Sequence, residues 1–309
     1  MSVQDRILQQ VRRAVVGKDD VLARILQVIL AGGHILLEDM PGVGKTTLAL
    51  AFSKVLGLQW GRVQFTPDVM PSDVVGFSLY NKATGQMEYQ PGTVLCNLFL
   101  ADELNRATSR TQSALLEAME EGQVTVDGTT HPVPQPFVVI ATQNPAGAAG
   151  TQPLPDSQVD RFMVKLSMGY PDAQSEAQMV RDRQGGDPVR QLLPVLSSAE
   201  LAGLRNAVSR IYISDPVLAY LVALIYETRS HPLLLRGASP RATLAVAAMS
   251  RAAAFLEGRD YVLPQDVQDS FAVTVAHRLL LTPEAEVGGA KPLVIAQSVL
   301  RRVTPPQVV

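Results

Sequence analysis

Apolar residues follow two patterns in the first 185 residues of the chain: helical spacing and short continuous runs. Residues 3–16 and 21–30 each place apolar side chains on one face of a helix. The segments ILLE, VLCNLFLADE and PFVVIATQNP contain short apolar runs that are typical of buried strands. Helices and buried strands in this order predict an α/β domain with a parallel sheet.

The remainder of the chain keeps only the helical pattern. A polar, Gly-containing segment at 182–191 is the best candidate for a linker. The spacing beyond it predicts helices at 198–210, 215–230, 240–256 and 264–281. We therefore predict an α/β domain over residues 1–185, followed by a smaller all-helical domain over residues 186–309.

Two polar segments alternate as hairpins do, around 77–92 and 122–136. Their residues are mixed in character and suggest no ligand chemistry. We expect both to be exposed hairpins rather than specific grips on a substrate.

A glycine-rich turn joins the first predicted strand to an apolar helix. It contains Gly42, Gly44, Lys45 and Thr46. Glycines let backbone N–H groups converge on phosphate oxygens, and a helix N-terminus favours negative charge. A lysine can reach the outer phosphates, and the next hydroxyl can bind Mg²⁺. The segment therefore predicts a phosphate-binding loop.

The loop departs from the usual pattern G-x-x-x-x-G-K-[ST] at its first position. That position holds Asp39 rather than glycine. On these residues alone, a turn between strand and helix without any ligand remains the alternative.

Polar side chains follow two later strands. Asp102 and Glu103 end one apolar run, and Asn144 ends another. In nucleotide hydrolases one such carboxylate serves the Mg²⁺ shell and a second orients the attacking water. Ligands bind outside the carboxyl ends of parallel strands, where Asn144 would also lie. Two acids can equally begin an ordinary loop, and Asn144 precedes Pro145 as a turn asparagine would.

Composition excludes several classes of protein. The formal net charge of −2 gives no overall basic field, so a main role in binding nucleic acid is disfavoured. Cys96 is the only cysteine, which excludes an internal disulfide and a cysteine-based metal site, and we expect it to be buried. No signal peptide and no membrane-length apolar run is present, so the expected location is the cytoplasm.

Five motifs stand in one order: GKTT, LADE, ATQNP, VDRF and GASPRA. Together they resemble an AAA+ ATPase, and within that group the MoxR family. The phosphate loop of this family is often written LLED-x-PG-x-GKT, so the departure at Asp39 is expected. The resemblance covers almost the whole chain and implies an AAA+ nucleotide domain with two hairpin inserts, followed by a helical lid.

The resemblance also implies residue roles for binding ATP or ADP with Mg²⁺. Thr46 and Asp102 would serve the metal, Glu103 would activate water, and Asn144 would position that water as sensor 1. The remaining nucleotide contacts would come from Val16, Gly17, Pro41, Gly42, Val43, Gly44, Lys45 and Thr47.

Two arginines complete the implied site. Arg161 matches the arginine finger that a neighbouring subunit receives, where a guanidinium neutralises transition-state charge. Arg241 matches sensor 2, which contacts the nucleotide of its own subunit. Arg106 is a secondary candidate, for a subunit interface or a helix cap.

The resemblance implies a hexameric ring that hydrolyses ATP to remodel a partner protein, often one with a von Willebrand factor A domain. A nucleotide-gated scaffold with negligible turnover is the main alternative, although the presence of Glu103 and Arg161 argues against it. A DNA-remodelling ATPase is a third reading, which the net charge disfavours.

Overall fold

The computed structural model describes residues 2–40, 42–144 and 153–307 of the chain. Three short 3-10 turns lie at Leu104–Arg106, Pro188–Gln191 and Ala276–Arg278. In chain order the helices and strands are α1 (Val3–Arg12), α2 (Asp19–Ala31), β1 (Ile35–Glu38), α3 (Lys45–Val55), β2 (Trp60–Gln64), α4 (Pro71–Val75), β3 (Gly76–Asn81), β4 (Gln86–Pro91), β5 (Leu98–Asp102), α5 (Ser109–Glu121), β6 (Gln123–Val126), β7 (Thr129–Pro132), β8 (Val138–Gln143), α6 (Asp156–Val159), β9 (Val164–Leu166), α7 (Ala173–Gln184), α8 (Ser198–Ser209), α9 (Asp215–Arg229), β10 (Leu234–Arg236), α10 (Pro240–Leu256), α11 (Pro264–Val275), β11 (Leu280–Leu281), α12 (Pro283–Val287) and α13 (Pro292–Arg302).

The chain forms two compact units. The first unit contains Met1–Arg24, His34–Leu154 and Ser167–Ala202. The second unit contains Ile25–Gly33, Pro155–Leu166 and Gly203–Val309. No helix among the described residues combines the length and the apolar character needed to cross a membrane.

Four parallel strands of the first unit lie in the order β2, β5, β8, β1. All residues of β5 and β8 are buried, as their apolar sequences predict. The register pairs Gln64 with Asp102 and Glu38 with Gln143. The carboxyl ends of these strands therefore meet at one edge of the sheet.

Both predicted hairpins are confirmed. β3 pairs antiparallel with β4, and β6 pairs antiparallel with β7. The rings of Tyr89 and His131 stack with their centroids 3.6 Å apart, so the two hairpins contact each other. Phe77, Leu79 and Met87 are exposed on the first hairpin.

The second unit is mainly helical. Helices α10 and α11 pack closely against each other. Its hydrophobic core comes from α9, α10, α11 and α13 and includes Leu221, Leu224, Val246, Val267, Phe271 and Val299. A core of this kind follows from the helical spacing of apolar residues beyond residue 190.

The predicted helix at 264–281 is wrong at its C-terminal end. Helix α11 stops at Val275, and the chain continues through a 3-10 turn into β11. β11 pairs antiparallel with β10, and the N–H of Thr282 donates to the carbonyl of Leu233. Apolar residues at 279–281 continued the helical spacing, but strand pairing holds them in an extended conformation.

Two smaller differences and one confirmed expectation concern the first unit. Helix α1 ends at Arg12, four residues before the predicted end at Val16. Helix α7 was not predicted, and the polar segment 182–191 carries its last turn and a 3-10 turn capped by Asp187. Cys96 is buried as expected, and burial raises the pKa of its thiol to about 12.

Candidate functional site

The turn between β1 and α3 has the backbone of a phosphate-binding loop. Gly42 and Gly44 adopt φ angles of 87° and 95°, which side chains rarely allow. Helix α3 begins at Lys45, so its free N–H groups face the turn. The Lys45 ammonium donates to the carbonyl of Asp39 at 2.8 Å. Burial lowers the pKa of Lys45, against the opposing effect of nearby carboxylates.

Asp102 lies at the end of β5 with both carboxylate oxygens occupied. Thr142 donates its hydroxyl to Oδ1 at 2.8 Å, and Arg62 donates to Oδ2 at 2.7 Å. Thr142 is fully buried on β8, and Arg62 comes from β2. Asp102 is therefore held by one strand on each side of its own.

Glu103 adopts a left-handed backbone conformation, with a φ angle of 58°. Its N–H donates to the Thr142 hydroxyl at 2.8 Å, and its carboxylate accepts from Arg106 at 2.8 Å. The hydrogen bond from Arg106 is the largest cause that lowers the pKa of Glu103, and the side chains of Asn144 and Gln64 contribute further. The carboxylate therefore stays ionised and has a fixed direction. Strained backbone of this kind is common in active sites.

Asn144 follows β8 at the same edge of the sheet. Its N–H donates to the side-chain oxygen of Asn105 at 3.3 Å, and the Asn105 amide donates to the Asn144 carbonyl at 3.3 Å. Among the described residues, the buried Oδ1 of Asn144 has no hydrogen-bond partner. The reciprocal contacts with Asn105 fix the backbone that carries this side chain beside Glu103.

Two cavities of the first unit adjoin the phosphate-binding loop. A cavity of about 100 Å³ is lined by Val16, Gly42, Val43, Gly44, Thr47 and Met168, among others. A second cavity of about 440 Å³ is lined by Thr46, Thr47, Leu50 and Arg183, among others. The described part of the predicted loop therefore adjoins open space, and the larger cavity has a volume typical of ligand pockets.

Gly17 and Pro41 are two predicted nucleotide contacts that are not among the described residues lining these cavities. Gly17 does not line either cavity; a Cβ atom there would come within 2.2 Å of the Ser175 hydroxyl, and its φ angle is 72°. Close packing against α7 therefore accounts for this glycine. Pro41 lies outside the described residues.

Asp160 is the centre of a charged cluster in the second unit. Its carboxylate forms an ion pair with Arg278 at 2.9 Å and accepts a hydrogen bond from the Ser239 hydroxyl at 3.0 Å. Arg241 lies 3.9 Å from the same carboxylate. Arg241, one of the two arginines that the sequence singles out, thus lies in this cluster, and Arg161, the other, follows Asp160 directly in the chain.

Arg278 holds the backbone on both sides of Arg161. It donates to the carbonyl oxygens of Asp160 and Phe162 at 3.0 and 2.7 Å. Its side chain is only 2% exposed, and burial lowers its pKa to about 10. A buried guanidinium with this many acceptors fixes the turn that carries Arg161.

Sequence reasoning missed Thr142, Arg62, Asn105 and Arg278. Thr142 lies within the quoted motif ATQNP, so its position next to the strand end was a usable signal. Arg62 and Asp102 are 40 residues apart, and Arg278 and Asp160 are 118 apart. No local pattern connects pairs at that distance.

The chemistry of the first unit suits a nucleotide with Mg²⁺. Lys45 and the N–H groups at the start of α3 offer positive charge to phosphate oxygens. The hydroxyl of Thr46 and the carboxylate of Asp102 are hard oxygen donors of the kind that Mg²⁺ prefers. No group of three or more His, Cys, Asp or Glu residues suited to a metal occurs in the described residues. Mg²⁺ bound with phosphates needs few protein ligands.

The chain is similar to known proteins over almost its whole length. Residues 34–164 match the ATPase family associated with various cellular activities (AAA), and residues 226–296 match the AAA lid domain. The chain is 43% identical to the uncharacterized protein YeaC of Bacillus subtilis (strain 168), over 97% of this chain and 94% of YeaC. It is 39% identical to the chaperone MoxR1 of Mycobacterium tuberculosis (strain ATCC 25618 / H37Rv), over 98% of this chain and 82% of MoxR1.

A solved structure is similar over the same extent. The crystal structure of a candidate ATPase from Cytophaga hutchinsonii ATCC 33406 has a TM-score of 0.91 and 37% sequence identity, and the match covers 99% of this chain and 95% of that one.

The phosphate-binding loop, the acidic strand end and the lid define an AAA+ ATPase, with a parallel sheet, flanking helices and a helical lid domain. Within this class, the chain belongs to the MoxR family.

Proposed function

We propose that this protein hydrolyses ATP in a Mg²⁺-dependent reaction and uses the energy to remodel or mature a partner protein. The observation that carries the proposal is the position of Glu103. One hydroxyl, that of Thr142, contacts both the N–H of Glu103 and the carboxylate of Asp102. A candidate base and a candidate metal ligand are thereby fixed relative to each other.

Each site residue of the first unit has a distinct role in the proposed reaction. Lys45 and the glycine turn bind the phosphates. Glu103 orients the attacking water and accepts its proton, and Asn144 holds that water beside the carboxylate. Thr46 and Asp102 would hold Mg²⁺, which would neutralise charge on the phosphates. The nucleobase would occupy the cavity lined by Val16 and Met168.

The proposal includes a homo-oligomeric ring, which we take to be a hexamer of identical subunits. Arg161 would act on the nucleotide of a neighbouring subunit, and Arg241 on the nucleotide of its own subunit. Support comes from Asp160, whose carboxylate lies 3.9 Å from Arg241 and which directly precedes Arg161 in the chain. A finger supplied by another subunit makes hydrolysis depend on assembly.

The relative MoxR1 carries the name chaperone. On that basis we propose that the substrate is a protein rather than nucleic acid. We also propose that the ATPase acts in the cytoplasm. A partner with a von Willebrand factor A domain is the form of substrate that we would test first. The net charge of −2 also disfavours a nucleic-acid substrate.

The test measures ATP turnover with and without Mg²⁺ and follows particle mass by light scattering in the same samples. We expect turnover that needs Mg²⁺ and rises more than linearly with protein concentration as rings assemble. Glu103→Gln should bind ATP and assemble while losing turnover, since an amide cannot accept the proton. Unchanged turnover in this variant would refute the role of Glu103.

One contact favours a second candidate function, a nucleotide-gated scaffold with negligible turnover. Arg106 donates to Oε2 of Glu103 at 2.8 Å, so one of the two carboxylate oxygens is already engaged. Tight ATP binding and assembly without turnover, even with a protein partner present, would support the scaffold. Turnover by the assembled protein would exclude it.

A further inference from the structure

Asp39 stands where the general phosphate-loop pattern has glycine, and its side chain is buried, with 6% of the residue exposed. Its carboxylate accepts three hydrogen bonds. Oδ1 accepts from the Ser167 hydroxyl at 2.7 Å and from the N–H of Gly169 at 3.0 Å, and Oδ2 accepts from the N–H of Met168 at 2.6 Å. One carboxylate therefore binds three consecutive residues of a distant segment.

The segment 167–171 forms part of the wall of the smaller cavity. Met168 and Pro171 line that cavity together with Val16, Gly42 and Gly44. A second contact holds the same segment, because Lys18 donates to the carbonyl of Tyr170 at 2.8 Å. The wall is apolar where it faces the cavity, which suits the flat face of a nucleobase.

The two ends of Asp39 act on different parts of the site. Its backbone carbonyl accepts from Lys45, on the phosphate side. Its carboxylate holds Met168, on the apolar wall. A substitution of the side chain keeps the backbone carbonyl and removes only the contacts to the wall.

We propose that Asp39 is a positioning residue that holds the nucleobase wall against the phosphate-binding loop. This inference rests on the proposed binding of ATP in the cavity of the first unit. It explains why glycine at position 39 would weaken nucleotide binding in this chain. Without the carboxylate, two backbone N–H groups and one hydroxyl lose their acceptor, and Met168 is no longer fixed beside Gly42.

The test compares the affinity for ATP with that for inorganic tripolyphosphate, which has the phosphates but no base. Titrations are made without Mg²⁺ on wild type, Asp39→Gly and Asp39→Asn. Asp39→Gly restores the general loop pattern, yet we expect it to weaken ATP binding about tenfold and to change tripolyphosphate binding less than about twofold. The ATP affinity of Asp39→Asn should lie between those of wild type and Asp39→Gly, since an amide retains one acceptor oxygen.

Lys45→Ala is the matched control for a defect on the phosphate side. It should weaken the binding of ATP and of tripolyphosphate by the same factor and leave the ratio of the two affinities unchanged. Thermal melting and circular dichroism establish that each variant is folded. Should Asp39→Gly fail to fold, Asp39→Asn and Ser167→Ala provide the same comparison with smaller changes.

Two outcomes would overturn the inference: an Asp39→Gly variant that binds ATP as wild type does, or one that loses both ligands equally. Wild-type protein that does not bind ATP at all would instead refute the proposed function. The two failures are therefore distinguishable in one set of titrations.

Discussion

The guanidinium of Arg106 donates a hydrogen bond of 2.8 Å to the carboxylate of Glu103, three residues before it. Both groups are partly buried, with side chains 38% and 18% exposed. This contact is the largest cause that lowers the pKa of Glu103. Arg106 therefore controls both the ionisation and the direction of the proposed base.

We predict that Arg106→Gln raises the pKa of Glu103 toward its ordinary value. A carboxylate with a lowered pKa stays ionised to lower pH, so the variant should lose activity at a higher pH than wild type. The pH profile of kcat/KM for ATP reports the ionisation of the free enzyme. Its acid limb should shift to higher pH in the variant. At neutral pH the difference should be smaller, since Glu103 is ionised in both proteins.

Arg110→Gln is the control for this profile, because Arg110 is an exposed arginine at the start of the neighbouring helix α5. Its acid limb should coincide with that of wild type. An Arg106→Gln profile that coincides as well would show that the contact does not set the protonation of the base.

A second prediction concerns Thr142, the shared partner of Asp102 and Glu103. Thr142→Val keeps the shape but removes the hydroxyl, and it leaves the N–H of Glu103 without its acceptor. We expect a loss of about 1–3 kcal/mol in the free energy of unfolding, from urea denaturation. Turnover should fall roughly tenfold to a hundredfold, because the proposed base is no longer fixed.

Thr142→Ser retains the hydroxyl and should keep most of the activity. If Thr142→Val loses stability but turns over ATP as wild type does, the threonine supports the fold alone.

The sequence was sufficient to predict the features that depend on neighbouring residues. β1 and the phosphate-binding loop follow from one continuous segment, and the polar ends of β5 and β8 follow from short apolar runs. Parallel packing then brings Asp102 and Asn144 to one edge of the sheet. The rule about strand ends needs no knowledge of particular contacts.

Features that depend on distant contacts could not be predicted in this way. Asp39 was noted as a departure, but its partners lie 128 to 130 residues further along the chain. The end of α11 depends on the pairing of β11 with β10, whereas the local spacing continued to favour helix. The helix α7 has few buried residues, so its apolar pattern is weak.

A third prediction tests whether Arg161 acts on a neighbouring subunit. Arg161→Ala should lower turnover about a thousandfold or more, as expected when an arginine finger is removed. Glu103→Gln should also be inactive. Mixed in equal amounts, the two variants should regain activity, because about a quarter of the sites in a random ring combine an intact Glu103 with an intact Arg161 from the neighbour.

The mixture is compared with each variant alone at the same total concentration. Arg190→Ala, at a side chain that is 85% exposed, controls for the loss of an arginine and should leave turnover unchanged. A mixture no more active than its components, in samples where co-purification of differently tagged variants shows mixed rings, would rule out action between subunits.

The last prediction concerns the buried pair of Arg278 and Asp160, whose side chains are 2% and 22% exposed. Arg278→Met removes the donor to the carbonyls of Asp160, Phe162 and Thr274 and the closest cation of the Asp160 carboxylate, so we expect a loss of about 3–5 kcal/mol in the free energy of unfolding. Adding Asp160→Asn should recover part of this loss, because the uncompensated charge is removed. A double-mutant cycle measured in urea gives the coupling free energy between the two residues.

The exposed pair of Arg236 and Asp156, at a similar distance of 2.8 Å, is the matched control and should show a coupling below about 1 kcal/mol. Equal coupling in the two pairs would mean that burial adds nothing at Arg278, and the turn that carries Arg161 would then need another source of rigidity.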